Sequence, residues 1–363
     1  MDGDHDRTSG SIAAASIAPP IDPHRLATSD SHGDPLSDVL RTVRLNGALF
    51  FVVDASTPWS IAVPHASAFV RLILPHAQHV VSYHVVTRGT GWIGVPGEAP
   101  TPFKTGDVLV IPHGDPYDML SAPGQPSELD PAAILDFFRA MAAGELPFVV
   151  AEGGGGAEQA QFMCGFLGCD AKPFNPLLAA LPRLMHIRRT PDVSGDLLDR
   201  LTELALAEAA VQRAGAECIR VRLSELMFVE VVRRYLASLP PEQTGWLAAL
   251  RDERIGRAIA LLHQRPAVAW TLDTLAAEVG MSRSAFADRF LRVVGHPPMQ
   301  YLTRWRVQLA ARMLADGATK VATVARDVGY DSEAAFSRTF KRVSGISPSE
   351  WWRRGPPQDN TAA

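Results

Sequence analysis

Apolar residues change their spacing along this chain, and each spacing predicts a different element. In Asp34-Pro35-Leu36-Ser37-Asp38-Val39-Leu40, the residues Leu36, Val39 and Leu40 share one helical face. Asp34 can cap that helix and Pro35 fits its first position. Between Gly47 and Leu120 the texture becomes short β-branched and aromatic runs, at 49–53, 69–74, 80–86 and 108–111. Turn residues separate them: Gly89-Thr90-Gly91, Pro96-Gly97, Thr105-Gly106-Asp107 and Pro112. Many short strands with tight turns predict a sandwich or barrel. Two more strands are expected at 148–150 and 161–167, on either side of the flexible loop 153–156. Residues 175–187 close this part.

Helical spacing then returns. Leu197, Leu201, Leu204, Ala205 and Glu208 recur over 196–213, and Leu223, Leu226, Met227, Val231 and Tyr235 over 216–238, with Gly215 between. Such a hairpin either packs on the sheet or forms a dimer seam, and the pattern leaves both open. Residues 239–250 are Pro- and Gly-punctuated and read as a linker.

The C-terminal hundred residues repeat. Leu275-Ala276-Ala277-Glu278-Val279-Gly280 matches Val324-Ala325-Arg326-Asp327-Val328-Gly329. Phe286, Arg289, Phe290, Gly295, Pro298 and Tyr301 fall against Phe336, Thr339, Phe340, Gly345, Pro348 and Trp351. Each copy predicts a helix, a left-handed turn at Gly280 or Gly329, and a second helix capped by Ser282, or by Asp331 or Ser332. The buried faces of the second helices are expected to be Phe286, Phe290 and Val293, and Phe336, Phe340 and Val343. Between the copies, Leu302, Trp305, Leu309 and Met313 stripe one helix that Pro298 starts and Gly317 ends. Roughly 18 residues at 1.5 Å each make a strut of about 27 Å. Paired helices with a polar outer face are the geometry that lays a second helix in the DNA major groove, and two copies in register are specific.

Charge supports that reading. Residues 251–354 hold 17 Lys+Arg and 10 Asp+Glu, a net of +7, whereas the whole chain is −4 and its remainder −11. An acidic body with a basic end fits a partner that is a polyanion at that end only. With 47% hydrophobic and 20% charged residues, wholesale disorder is excluded. No run approaches the ~20 apolar residues of a membrane helix. Three cysteines are too few for a disulfide scaffold and suit a reducing cytosol. The start is acidic rather than basic, so no secretion signal is expected.

The segment 251–354 resembles the AraC/XylS family of bacterial transcription regulators. The motifs are Leu275-Ala276 to Gly280-Met281-Ser282, Gly295-His296-Pro297-Pro298 to Tyr301-Leu302, Ala310-Ala311-Arg312-Met313-Leu314 and Phe336-Ser337-Arg338 to Phe340-Lys341. The buried face leaves Arg283, Ser284, Ala287, Asp288, Arg289 and Arg292 to project from the first unit, and the resemblance implies that Arg283, Ser284, Ala287 and Asp288 of these face bases. It implies the same of Glu333, Ala334, Ser337 and Arg338 from the second, with Lys341 and Arg342 beside them. Ala287 and Asp288 depart from the longer polar or basic residues frequent there. Asp288 would accept from cytosine or orient Arg292, and Arg338 would read a base or hold a phosphate. Residues 34–240 resemble the cupin-type sensor domain of one branch of these regulators, through the Asp34 motif, Pro58-Trp59, His84-Val85-Val86, Gly106-Asp107 to Pro112 and Asn175-Pro176-Leu177-Leu178.

The expected fold is therefore α+β and multidomain: a cupin-like β-barrel or sandwich with a helical hairpin, then an all-α domain with two helix-turn-helix units. The expected divisions are a disordered arm (1–33), a sensor domain (34–190), the hairpin (191–238), the linker (239–250), the DNA-binding domain (251–354) and a disordered tail (355–363). Two functions compete: a DNA-binding regulator sensing a small molecule or oxidant, and a cupin metalloenzyme with a helical accessory domain. His84-Val85-Val86 lacks the second His of a cupin metal motif, and Tyr117 stands where a later metal His would fall. His79, His84 and His113 are the remaining candidates, so neither metal nor cofactor is called for. An effector pocket is expected among Trp59, Tyr83, His84, Trp92 and Tyr117, and an oxidant site at Cys164 and Cys169. Expected partners are promoter double-stranded DNA, RNA polymerase, a small-molecule effector and a second copy of the chain, in the bacterial cytoplasm at the nucleoid and without membrane contact.

Overall fold

A computed structural model describes residues 34–43, 45–125, 131–189, 196–209, 213–240, 242–317 and 320–354. The arm and the tail expected to be disordered lie outside the described residues. The first helix, α1 (Pro35–Thr42), starts as expected, with the Asp34 carboxylate accepting from the amides of Leu36 and Ser37. Strands β1 (Leu45–Ser56) and β2 (Ser60–Val63) lead to a short helix, α2 (Val70–Ile73). Then come β3 (His79–Arg88), β4 (Thr90–Gly94), β5 (Thr101–Lys104), β6 (Val108–Ile111) and β7 (Tyr117–Leu120). Helix α3 (Pro131–Ala142) precedes β8 (Val149–Gly153) and β9 (Gln159–Cys169), and α4 (Pro176–Ala180) and β10 (Met185–Ile187) complete the β part.

The strands form one sheet in the order β10-β6-β3-β9-β1-β8 and a second in the order β2-β7-β4-β5. Among the described strands only β1 and β8 pair in parallel. Neither order returns on itself, so the described strands make a two-sheet sandwich with open edges and not a closed barrel. The run 69–74, expected as a strand, is helical instead. Phe69 and Ile73 are buried four residues apart while Arg71 is exposed, a helical and not an alternating burial. Phe69 stacks on Phe138 of α3 with ring centroids 4.1 Å apart. Helix α3 itself was not expected.

Strand β9 lies between β1 and β3, and its two faces belong to different cores. Phe162, Cys164 and Phe166 point between the two sheets. Met163, Leu167 and Cys169 point to the outer face, against the hairpin of α5 (Leu197–Ala209) and α6 (Ala216–Ser238). Gly165 on that outer face makes room for Tyr83, since a Cβ there would meet the tyrosine ring at 2.1 Å. Tyr83 reaches past it to Ser224 of α6, hydroxyl to hydroxyl at 3.0 Å. The hairpin thus packs on the sheet, one of the two arrangements its pattern allowed.

The stretch expected as a linker contains α7 (Trp246–Ala249), whose Trp246, Leu247 and Ala249 are buried. After α8 (Glu253–Gln264), the repeat folds as its pattern predicts, as α9 (Leu272–Glu278) with α10 (Arg283–Val294), and α12 (Val321–Asp327) with α13 (Glu333–Ser344). Between them runs α11 (Pro298–Ala315), 18 residues long, and α14 (Pro348–Arg354) follows. Ser282 and Ser332 cap α10 and α13. Gly280 and Gly329 are left-handed, with φ 65° and 91°. At Gly329 a side chain would also strike the Ala267 backbone, at 2.7 Å. The third buried position on the second helices is Val294 and Ser344, one residue beyond the expected Val293 and Val343.

Helix α11 serves two cores. Tyr301, Leu302 and Trp305 join the core that runs from the sandwich's outer face through the hairpin to α10. Val307, Ala310, Ala311 and Leu314 join a separate core with Phe336, Phe340 and Trp351 of the second unit. Phe340→Ala should therefore cost about 3–5 kcal/mol. Amide exchange should accelerate across α12–α14 and stay unchanged in β1, β3 and β9. Uniform acceleration across the chain would contradict two separate cores.

Candidate nucleic-acid interface and sensor pocket

Burial of Phe286, Phe290 and Val294 on α10, and of Phe336, Phe340 and Ser344 on α13, fixes which way each helix turns. On α10, Arg283, Ser284, Asp288 and Arg292 are exposed and Ala287 is half-buried. On α13, Glu333, Ala334, Arg338, Lys341 and Arg342 are exposed and Ser337 is half-buried. Every residue expected on a recognition face thus lies on the outer side of its helix.

The cations of this half fall into two groups. Arg289 forks onto Asp252 at 2.8 Å, Arg306 donates to the carbonyls of Pro266 and Val268, and Arg254 donates to that of Gly280. These brace the first unit against α8 and α11. Arg283 pairs loosely with Asp273 at 3.4 Å, both well exposed. The side chains of Arg292, Arg338, Lys341 and Arg342 make no hydrogen bond or ion pair with the described residues, although the charge of Arg342 is felt by the Tyr330 hydroxyl. Asp288 is not joined to Arg292, so the orienting role considered for it is not realised here.

A second site lies inside the sandwich. A cavity of about 260 Å3 is walled by Phe51 and Val53 of β1, Ile134 and Phe137 of α3, and Phe166 of β9. His84, Tyr117 and Cys164 form its polar corner. His84 Nε2 lies 2.7 Å from the Tyr117 hydroxyl, and Nδ1 lies 3.0 Å from Cys164 Sγ. Burial lowers the His84 imidazole to about 3 and raises the Tyr117 hydroxyl and Cys164 thiol, so all three are neutral at pH 7.

Of the five expected pocket residues, only His84 and Tyr117 line this cavity. Trp59 is buried nearby, packed on Phe162 at 5.2 Å. Tyr83 faces the hairpin because neighbours on a strand point to opposite faces. Trp92 is half-buried on the outer side of the small sheet, with Ile93 taking the inner position. The walls contributed by α3 were missed, since that helix was missed. The alternation of Phe51 and Val53 with Phe50 and Val52 was the available signal for the β1 wall.

Cys164 and Cys169 are five residues apart on β9 and so face opposite sides, about 16 Å apart at 3.3 Å per residue. A disulfide needs Cα atoms within about 7 Å, so the two cannot pair in this fold. Burial raises both thiols, which removes the reactive thiolate. His79 Nε2 lies 2.6 Å from the Pro112 carbonyl and His113 Nε2 lies 2.9 Å from that of Leu181, so neither joins His84. Among the described residues no three His, Cys, Asp or Glu side chains gather as a metal site.

The joint between the two halves carries its own polar chain. Trp246 Nε1 donates to the Tyr301 hydroxyl at 2.8 Å, and that hydroxyl lies 2.7 Å from His263 Nε2. The tautomer that turns Nδ1–H towards the Asp38 carboxylate of α1 leaves His263 Nε2 to accept the tyrosine proton. That last contact is 3.7 Å, longer than a hydrogen bond, and both atoms are buried without another partner. Burial lowers the His263 imidazole, and it stacks on Trp305 at 3.9 Å. Phe174 donates its amide to Gln308 at 2.9 Å, just before α4, where Asn175 accepts the Leu178 amide as N-cap. Arg312 donates to the Arg41 carbonyl. The Asp34 and Asn175 motifs thus hold the two elements that touch the C-terminal half.

Comparison with known proteins agrees with this geometry. A cupin family model matches residues 34–237 and a helix-turn-helix domain model matches 275–354. A Streptomyces lividans protein named as an AraC-like transcription regulator is 32% identical over 88% of this chain and 97% of its own length. The HTH-type transcriptional regulator AlkR of Acinetobacter baylyi is 29% identical over 88% of this chain and 98% of its own length. Among solved structures, ToxT of Vibrio cholerae aligns over 85% of this chain and 96% of its own, at 12% identity and a TM-score of 0.30. The paired helix-turn-helix units define a transcription regulator with a DNA-binding domain. The chain belongs to the AraC family of such regulators, with a cupin-type N-terminal domain. Among the described residues no helix is long and apolar enough to cross a membrane.

Buried His84 makes stability depend on pH. The unfolded imidazole takes a proton near 6.5, but the folded one only near 3. Stability is therefore whole above about pH 6.5 and falls by about 1.4 kcal/mol per pH unit below it, down to about pH 3. Between pH 7 and pH 5, His84→Asn should lose about 2 kcal/mol less than the parent in urea unfolding. Equal losses would place His84 in contact with water.

Proposed function

We propose that this protein controls transcription in the bacterial cytoplasm by gripping one face of promoter DNA through α10 and α13, under the control of an effector in the sandwich. The observation that carries the reading is the set of exposed cations without an acidic partner among the described residues, Arg292, Arg338, Lys341 and Arg342, on the outer faces of two helices joined by one 18-residue helix. Phosphate neutralisation by these residues supplies affinity, and base contacts by Arg283, Ser284, Ala287, Asp288, Glu333, Ala334, Ser337 and Arg338 supply sequence preference. An effector between the sheets presses on β9. The hairpin packed against the strand's other face, with α1 and α4, carries the change to Tyr301, His263 and Gln308. RNA polymerase is the partner through which occupancy becomes transcription.

A second copy of the chain is the partner for the hairpin. Leu197 and Leu204 on α5, and Ile219 and Leu226 on α6, are exposed at seven-residue spacing on the side away from the sheet. A helix apolar on two faces is suited to burial on both. Leu204→Glu with Leu226→Glu should convert a dimer to a monomer in sedimentation while leaving the circular dichroism spectrum unchanged. A parent chain that sediments as a monomer at micromolar concentration would end the dimer reading.

Sequencing genomic fragments retained by the purified full chain tests the main reading. The expected motif has two half-elements about one helical turn, ~34 Å, apart. Arg338→Ala should cost about 1–3 kcal/mol at that motif and blur one position. Uniform weakening with an unchanged motif would assign Arg338 to a phosphate. Retention without any enriched motif would overturn sequence-specific control.

A further inference from the structure

Strand β8 places an acid where its pattern calls for an apolar residue. Val149, Ala151 and Gly153 are exposed, while Val150 and Glu152 alternate with them and face inward. The register confirms the direction, because Val150 pairs with Val53 and Glu152 with Ala55, both buried between the sheets. Among the described residues, Glu152 is the one charged side chain bordering the 260 Å3 cavity. It also borders a second, polar hollow at the end of β1 and β8, where the other charged residue is Asp54. Among the described residues no Lys or Arg borders either space. Glu152 has no hydrogen bond or ion pair with a described residue. Burial raises its carboxyl, which a neighbouring cation would reverse.

The remaining chemistry of the cavity is aromatic and neutral. Phe51 lies edge-on to Phe137, with centroids 5.5 Å apart, and Phe138 lies edge-on to Phe166 at the same distance. At the far corner His84 spends both nitrogens on Tyr117 and Cys164, so the corner makes no demand for a polar ligand group. An apolar cavity of about 150 Å3 accommodates benzene, so about 260 Å3 suits roughly ten non-hydrogen atoms.

We infer that the sandwich cavity takes a small apolar amine, its hydrocarbon or aromatic body among Phe51, Phe137 and Phe166 and its ammonium at Glu152. This rests on the sandwich being the effector site and adds the class of molecule it admits. Carboxylates are excluded, because an anion would meet only acids at the mouth. Neutral analogues of the same shape bind through burial alone. The aromatic faces add to the preference for a cation. A competing role for Glu152 comes from its place on an edge strand, where an inward charge prevents strands of two molecules from pairing. That role predicts aggregation on neutralisation and no discrimination between ligands.

The test uses the full chain and three probes of one shape: phenethylamine, phenethyl alcohol and phenylacetate. Calorimetric titration at neutral pH should rank the amine about ten- to a hundredfold tighter than the alcohol, the range a charge-assisted hydrogen bond supplies. Phenylacetate should not bind measurably. Glu152→Gln should remove the gap between amine and alcohol without weakening the alcohol. Glu152→Leu, which restores the apolar face, should tighten the alcohol and still lose the amine's advantage. Alcohol binding equal to or tighter than amine in the parent would overturn the amine while leaving the effector site standing. Persistence of the amine's advantage in both variants, or aggregation of both with the parent showing no preference, would do the same. Failure of all three probes to bind would remove the cavity as a receptor for molecules of this size, and the effector reading with it.

Discussion

The alternation of side chains along β9 is the constraint on which the rest of the molecule depends. Successive residues of a strand must point to opposite faces. Phe162, Cys164 and Phe166 are thereby committed to the space between the sheets, and Met163, Leu167 and Cys169 to the helical layer outside. One strand, hydrogen-bonded on both sides by β1 and β3, separates a ligand-sized cavity from the core that continues into the DNA-binding half. A molecule that displaces Phe166 acts on a backbone whose next residue, Leu167, supports the hairpin. The cavity and the helical layer are two sides of one sheet.

Where the sequence carried a period, the reading of it held. Phe286 and Phe290 recur as Phe336 and Phe340, Gly280 as Gly329 and Ser282 as Ser332, and both units fold as that recurrence implies. The outer faces of α10 and α13 followed from the inner ones. Short runs were less legible. Phe69-Val70-Arg71-Leu72-Ile73-Leu74 has β-branched and aromatic residues but is wound into a helix by the ring of Phe138 stacked on Phe69. No local property of the six residues announces a partner some seventy positions away. The pocket suffered in the same way. Tyr83 and His84 were both expected to line it, although two neighbours on one strand cannot share a face. Trp59 and Trp92 were included for their chemistry and not for their register.

The distinctive Asp34 and Asn175 motifs have a positional meaning that their spelling does not reveal. Each is a capped helix start, and each cap holds an element against the C-terminal half. Asp38 follows from the first cap to face His263, and Phe174 precedes the second to meet Gln308. Buried polar groups at such a joint favour one docked arrangement over others, because in any other they lose their partners to no gain. The Asp38–His263 contact is the incomplete member, with both atoms buried at 3.7 Å.

Helix α11 shows what sharing implies for the history of the chain. Its Tyr301, Leu302 and Trp305 serve one core, and its Val307, Ala310, Ala311 and Leu314 serve another. Surface helices tolerate drift because their outer half is indifferent to the residue it carries. This helix has little such surface, with Gln308 buried as well. A substitution that improves one neighbour is judged at once by the other. A change at α11 is therefore felt in both cores at once, whereas the outer faces of α10 and α13 can change without disturbing either.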